Sequence, residues 1–293
     1  MSFQLPDIGD GPVLIAGPTA SGKSSLAMEI ASRFGGQIVN ADAIQVFDGW
    51  RVLTARPSAG DEASVPHKLY GHVPLDGDYS VGHWLRDIEP LLTSGPRPII
   101  VGGTGLYFTS LTRGLAQIPP IPNSVRSAAD AIRLEQGHKA MQVDLDDSTK
   151  SRIDLNNPMR VQRAWEVWKA TGKQISVWQD ETPPPLLDIS TTTPIVMDAP
   201  KDWLNERIAR RFDLMLETGA LDEAEHILPR WDPAHLSSKA IGAPELIGYL
   251  QGELSLSEAK ERATIATRQY AKRQRTWFKS RMSDWLRVDP STA

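Results

Sequence analysis

No cysteine occurs anywhere in the 293 residues, which excludes disulfides, thiolate metal sites and cysteine nucleophiles together. No apolar stretch approaches the ~18–20 residues of a membrane-spanning helix. The opening residues, Met1 to Gly11, have neither the basic start nor the apolar run of a signal peptide. The six histidines are scattered without metal-site spacing, and His67 and His72, which fall in one loop, are assigned no role. There is no internal repeat and no low-complexity tract. These absences lead us to expect a cytoplasmic protein without membrane contact, and we expect it to act as a monomer.

What is present is an ordinary apolar content of 40% and a formal charge of −4, which by itself says nothing about a nucleic-acid partner. The distribution of that charge is more telling. Residues 260–281 carry eight Lys and Arg against the single acid Glu261, so that segment is +7 and the remainder sums to −11. Helical surfaces ordinarily mix signs. A helix this one-sided fits contact with a phosphate backbone, although a solvated face stays open as the alternative. Tyr270, Trp277 and Phe278 on the same helix read as an aromatic stripe packed on a sheet.

The stretch Gly17-Pro18-Thr19-Ala20-Ser21-Gly22-Lys23-Ser24 fits the phosphate-loop pattern G-x-x-x-x-G-K-[ST] without a mismatch. It follows a short apolar run, Pro12 to Ala16, and leads into a helical pattern from Lys23 to Phe34 that ends at Gly35-Gly36. Backbone N–H groups of such a loop form a concave oxyanion site. Lys23 adds a point charge, and the Ser24 hydroxyl suits a Mg²⁺ ligand. The loop cannot say whose phosphates it holds.

Gln37 to Asn40 reads as a second strand that delivers Asp42 to the carboxyl edge of the sheet, where ligands of open parallel sheets bind. Asp42 there is a general base, a Mg²⁺ ligand through water, or a helix cap. Residues 54–79 read as an irregular connection, and Val81 to Leu92 as a helix. Pro98 to Val101 reads as a further strand, followed by Gly102-Gly103-Thr104-Gly105, with Thr104 at the same rim. That strand ends in glycine where a motor-type ATPase would place its Mg²⁺-holding Asp. A small-molecule kinase using ATP survives that objection. From about residue 115 proline clusters bracket a polar helical block, including Val125 to Gln136 and Pro158 to Thr171. The sheet resumes at Pro194 to Asp198, and long helices follow at Trp203 to Leu216 and Glu258 to Met282. Arg207, Arg210 and Arg211 on the first of these are either diphosphate ligands or a solvated basic turn.

The fold class expected is therefore α/β: a P-loop-type parallel sheet flanked by helices, formed by residues 1–114 and 194–293, with an inserted small helical subdomain at 115–193. The residues alone support an enzyme with a Mg²⁺-diphosphate substrate, an Asp base and a polyanionic second substrate.

Taken together, the motifs resemble those of the tRNA dimethylallyltransferases (tRNA isopentenyltransferases) over nearly the full length. The pieces are Gly17 to Ser24, Asn40-Ala41-Asp42, Thr54-Ala55-Arg56-Pro57 with Pro66-His67, and Val101 to Tyr107. Later ones are Asn157-Pro158 with Arg160 and Arg163, Thr171-Gly172-Lys173, and Ala266 to Gln274 with Thr276-Trp277.

The resemblance implies transfer of a dimethylallyl group from dimethylallyl diphosphate to the exocyclic amine of the adenosine 3′-adjacent to the anticodon. It implies Lys23, Asp42 and Thr104 as catalytic residues, Gly17 to Ser24 with Arg211 around the diphosphate, and Mg²⁺ at Ser24. Contacts with tRNA would come from Asp42, Ala43, Ile44, Gln45, Thr104 and Arg126. Others would come from Met159, Arg160, Val161, Gln162 and Arg163, and from Arg268, Lys272 and Arg275 on the basic helix. The chain departs from the family pattern at Ala43 (usually Ser), Phe47 (usually Tyr), Met159 (usually Gln) and Ala243-Pro244 (usually Tyr-Arg).

Overall fold

A computed structural model describes residues 3 and 5–292; Met1, Ser2 and Gln4 of the segment read for a leader lie outside the described residues. Six strands form one sheet: β1 (Val13–Ala16), β2 (Gln37–Asn40), β3 (His67–Lys68), β4 (Pro98–Gly102), β5 (Thr193–Met197) and β6 (Leu286–Val288). They lie in the order β3-β2-β4-β1-β5-β6, and each neighbouring pair is parallel. Continuous apolar runs such as Val-Leu-Ile-Ala in β1 are what a strand covered on both faces requires, and β1, β2 and β4 are buried along their whole length.

The period-two alternation of the strands divides the core between two faces. Leu14, Ala16, Val39, Ile100 and Val196 pack with Trp84, Ile88, Phe108, Phe278 and Trp285. Val13, Ile15, Ile38, Ile99, Val101 and Ile195 pack on the other face with Leu26, Ala27 and Ile30 of the helix Lys23–Phe34. That helix ends at Gly35, with φ 71°, as its glycine pair foretold. A third apolar cluster joins Trp50 and Leu53 to Phe212 and Met215 of the helix Lys201–Glu217, and to Leu246 and Ile247.

Two strands escape the sequence reading. β3, two residues long, and a capped helix, Ala59–Ser64, lie inside the segment read as irregular, and β6 lies beyond the last long helix. Both strands sit at the sheet edges, where half-covered residues leave no apolar run to read.

The chain divides into two compact units, residues 1–112 with 186–293 and residues 113–185. The second crossing precedes β5 because Leu187 is buried in the core of the first unit, with Ile189 packed against it. The smaller unit is helical, with Asn123–Glu135 and Pro158–Thr171 packed around Ala129, Met141, Leu145, Val161, Ala164 and Trp165. Asn157 caps the second of these helices through the N–H groups of Met159 and Arg160, and Gly172, with φ 68°, ends it.

Trp84 ties a helix to the functional edge of the sheet. It is fully buried, its ring stacks on Tyr107 at 4.6 Å, and its indole N–H donates to the Asn40 carbonyl at 2.7 Å. Replacing it with alanine is expected to lower stability by ~3–5 kcal/mol, whereas Trp84→Phe, which keeps most of the packing, should cost about half that. Urea unfolding of both variants checks the order.

Candidate active site

The loops after β1, β2 and β4 emerge at the same carboxyl edge, beside the point where the chain order reverses. After β1 the phosphate loop turns through two left-handed residues, Ala20 (φ 63°) and Gly22 (φ 85°). Gly17 has no room for a side chain, because a β-carbon there would stand 2.8 Å from both Met197 and the Ser21 hydroxyl. Lys23 is half-buried at the start of the helix, its ammonium 3.5 Å from the Pro18 carbonyl. Burial pushes its pKa down to about 8; the Asp42 carboxylate opposes that fall and Arg211 adds to it. Ser24 is exposed on the same turn.

After β2, Asn40 shapes the turn that presents Asp42. Its side-chain oxygen accepts from the Asp42 N–H at 2.9 Å, and its amide donates to the Asp42 and Leu69 carbonyls. Asp42 Oδ1 accepts from the Ile44 N–H at 3.0 Å, leaving Oδ2 beside Gly103, where a β-carbon would stand 3.3 Å from it. After β4, the Thr104 hydroxyl accepts from the Ala43 N–H at 2.9 Å, and Tyr270 reaches both Thr104 and Gln274. Burial first, and Asp42 second, raise the Tyr70, Tyr107 and Tyr270 hydroxyls above the usual tyrosine range.

The helix Leu256–Arg281 closes the arrangement. Gln274, buried, accepts from the Thr19 N–H at 2.8 Å and donates to the Gly103 carbonyl at 2.9 Å, so one side-chain amide joins the first loop to the third. A β-carbon on Gly103 would meet the Gln274 amide at 2.2 Å, and one on Gly105 would meet the Trp277 ring at 2.2 Å. The glycines around Thr104 are therefore where this helix lies directly on the backbone.

These groups surround a cavity of about 550 Å³, whose polar lining includes Thr19, Lys23, Asp42, Thr104, Arg211 and Gln274. Its apolar lining includes Leu53, Phe212, Met215 and Ala240.

The cavity brings together Lys23, Asp42, Ala43, Ile44, Gln45, Thr104 and Arg211. Of the three arginines on the helix Lys201–Glu217, Arg207 donates to the Ala20 carbonyl at 3.0 Å and lies over the Trp203 ring. Arg210 instead points outward to Glu206, with 72% of its side chain exposed. All three aromatics of that helix, Tyr270, Trp277 and Phe278, line the cavity; Phe278 and, packed against it, Trp277 belong to the cluster on one sheet face as the stripe reading expected, and Tyr270 is the one that departs from it.

In the smaller unit, Arg126, Met159, Arg160 and Arg163 are exposed. Val161 and Gln162 turn inward, a correction to their expected place among RNA contacts. Val161 is wholly buried in that unit's core, and Gln162 is held by Asp130, Arg133 and Glu166. The helical period explains it, since a five-residue run must show both faces. On the basic helix Arg268 and Lys272 are exposed and Arg275 half-exposed, and none forms an ion pair among the described residues. Lys260 pairs with Asp213. Gln274 is the site residue that the charge pattern concealed, because a polar residue within a basic run reads as surface.

Among the described residues no group of three His, Cys, Asp or Glu is placed to hold a metal ion, and no helix is long and apolar enough to cross a membrane.

The IPP transferase family profile matches residues 45–281. The chain is 62% identical over 296 aligned positions to the tRNA dimethylallyltransferase of Dinoroseobacter shibae, with 99% of each chain covered. It is 60% identical to that of Cereibacter sphaeroides, covering 97% of this chain and 98% of the other. Among solved structures it resembles a tRNA isopentenylpyrophosphate transferase from Staphylococcus epidermidis, with TM-score 0.66, 32% identity, and 96% and 94% of the two chains covered. A eukaryotic dimethylallyltransferase acting on tRNA shares the fold at TM-score 0.81 and 24% identity, with 96% and 74% covered. The chain belongs to the IPP transferase family.

The depressed pKa of Lys23 has a consequence for stability whose sign is fixed. Below about 8 the lysine is protonated in both states, and the folded state bears the full cost of a desolvated ammonium. Between about 8 and the unfolded value of 10.5 the unfolded chain binds more protons, so stability rises with pH. Lys23→Met is expected to exceed the wild type by about 2 kcal/mol at neutral pH, after allowance for the half-exposed position. That advantage should shrink as the pH rises through this window, as measured by urea unfolding across the range.

Proposed function

We propose that this chain transfers a dimethylallyl group from dimethylallyl diphosphate to the exocyclic amine of the adenosine 3′-adjacent to the anticodon of tRNA, releasing diphosphate. One observation carries the reading. Asp42 Oδ2, without a hydrogen-bond partner among the described residues, shares a single cavity with Lys23 and Arg211, and apolar side chains such as Leu53, Phe212 and Met215 line the same cavity. An acceptor for a proton, cations for a departing anion and a lining for a prenyl group are thus within reach of one another.

The chemistry follows from the weakness of an adenine amine as a nucleophile. Negative charge grows on the diphosphate as its bond to the prenyl carbon lengthens. Lys23 and Arg211, which line the same cavity, would stabilise that charge, the electrostatic contribution that usually dominates. The amine nitrogen forms the new bond to carbon, the carbon–oxygen bond breaks with its electron pair leaving on the diphosphate, and Asp42 takes the amine proton. Thr104, oriented by its bond from Ala43, would position the base. The adenine must leave its stack to enter such a cavity.

Mg²⁺ would be held at the exposed Ser24 hydroxyl, which lies outside the cavity that Lys23 and Asp42 line; a lone oxygen donor suits an ion that keeps waters and takes substrate phosphate oxygens. When bound it would add positive charge beside the diphosphate. Contacts with tRNA would come from the exposed Arg268 and Lys272 and the half-exposed Arg275 and, in the smaller unit, from Arg126, Met159, Arg160 and Arg163.

The deciding experiment mixes the protein with Mg²⁺, unmodified tRNA and labelled dimethylallyl diphosphate. Label should appear in the tRNA. Absence of transfer combined with ATP-dependent phosphorylation of a small metabolite would return the site to the kinases. For Asp42→Asn, turnover should fall by ~10² or more while tRNA affinity, measured by filter binding, stays within about twofold of wild type. Replacing two of Arg268, Lys272 and Arg275 with alanine should flatten the slope of log affinity against log salt by about 1.5 to 2; an unchanged slope would make that helix a solvated face.

A further inference from the structure

We propose that Leu53, Phe212 and Met215 form a closed wall that measures the prenyl donor, admitting one isoprene unit and refusing two. The proposal rests on the prenyl-transfer reading above and goes beyond it by naming what fixes donor length.

The geometry runs along one helix. Arg211 lines the cavity with Lys23 and Asp42 and interacts electrostatically with both. On the same helix, Phe212 follows it directly and Met215 lies one turn further, both lining the same cavity. A diphosphate held at Lys23 and Arg211, with its reacting carbon turned toward Asp42, leaves its hydrocarbon end to run along this helix. Lys239 and Arg273 also line the cavity and are exposed, cations past which an RNA base could enter.

An apolar lining alone would favour longer donors, since each further carbon buried binds more tightly if there is room for it. Refusing length therefore needs a barrier that does not yield, and this wall has one. Leu53 and Phe212 are each 5% exposed and Met215 9%, and all three belong to the apolar cluster that includes Trp50, Leu246 and Ile247. Behind them stands backbone. A β-carbon on Gly242, whose φ is 98°, would lie 2.8 Å from Leu53 Cδ1 and 3.0 Å from Phe212 Cε2. The two side chains thus rest against the Gly242 main chain, which limits how far a second isoprene unit could push them in that direction.

The test compares dimethylallyl diphosphate with geranyl diphosphate as donors to the same tRNA, reading the ratio of their kcat/KM values. Wild type should use the first and discriminate against the second by at least ~10²-fold, and Phe212→Ala should raise the geranyl share at least ~10-fold. Leu53→Ala should move it in the same direction. A wild type that uses both donors about equally overturns the ruler, as does either variant that still transfers dimethylallyl with an unmoved ratio. Transfer of neither donor by wild type would fail the prenyl-transfer reading itself, a result distinct from failure of the ruler. Circular dichroism checks folding, and where Phe212→Ala does not fold, Leu53→Ala and Met215→Val interrogate the same wall, each sufficient alone.

Discussion

One side-chain amide holds the functional edge of this molecule together. Gln274 accepts from the N–H of Thr19 and donates to the carbonyl of Gly103, so the phosphate loop and the Thr104 turn are fixed to each other by a residue far from both in sequence. Neither loop has a side chain of its own that could do this. The first turns through Ala20 and Gly22 in the left-handed region, and the second is glycine on both sides of Thr104. Buried without these partners, the amide would be costly, and with both satisfied it sets a spacing. The bareness of Gly103 and Gly105 follows from the same contact, because the Leu256–Arg281 helix can lie on the turn only where no β-carbon intervenes.

From that constraint the rest of the site is built by ordinary means. Asn40 shapes the turn that presents Asp42, Trp84 anchors the strand end behind it, and Ala43 orients Thr104. Each of these is a hydrogen bond from an element whose position is set by apolar packing. The cations are expensive to keep in such a place, as the lowered pKa values of Lys23 and Arg211 record. Asp42 offsets part of that cost while no anion is bound. The protein tolerates the tension because the surrounding core carries the stability.

Much of the architecture was legible in the residues. β1 and β4 declare themselves as apolar runs beside glycine and proline, β2 as a short Ile-Val pair after Gly36, and Pro158–Thr171 announces both its ends through Asn157 and Gly172. Residues that line the cavity were legible where they fall just past strand ends, as Asp42 and Thr104 do. What stayed hidden depends on long-range partners. β3 and β6 exist because a finished sheet offers them an edge. Gln274 sits in a basic run, and its inward aim is set by two backbone groups elsewhere in the chain. The opposite directions of Arg210 and Arg211, adjacent in sequence, follow from helical phase against a cavity that no single segment defines.

The half-buried Lys23 carries one more implication. With its pKa near 8, a sizeable fraction of the empty sites at mildly alkaline pH hold a neutral amine. A multiply charged anion beside it favours the ammonium, so arrival of such a ligand draws a proton from the medium and its departure returns one. Ligand binding at this loop is thus also a proton-uptake reaction, and its apparent heat depends on the ionisation enthalpy of the buffer.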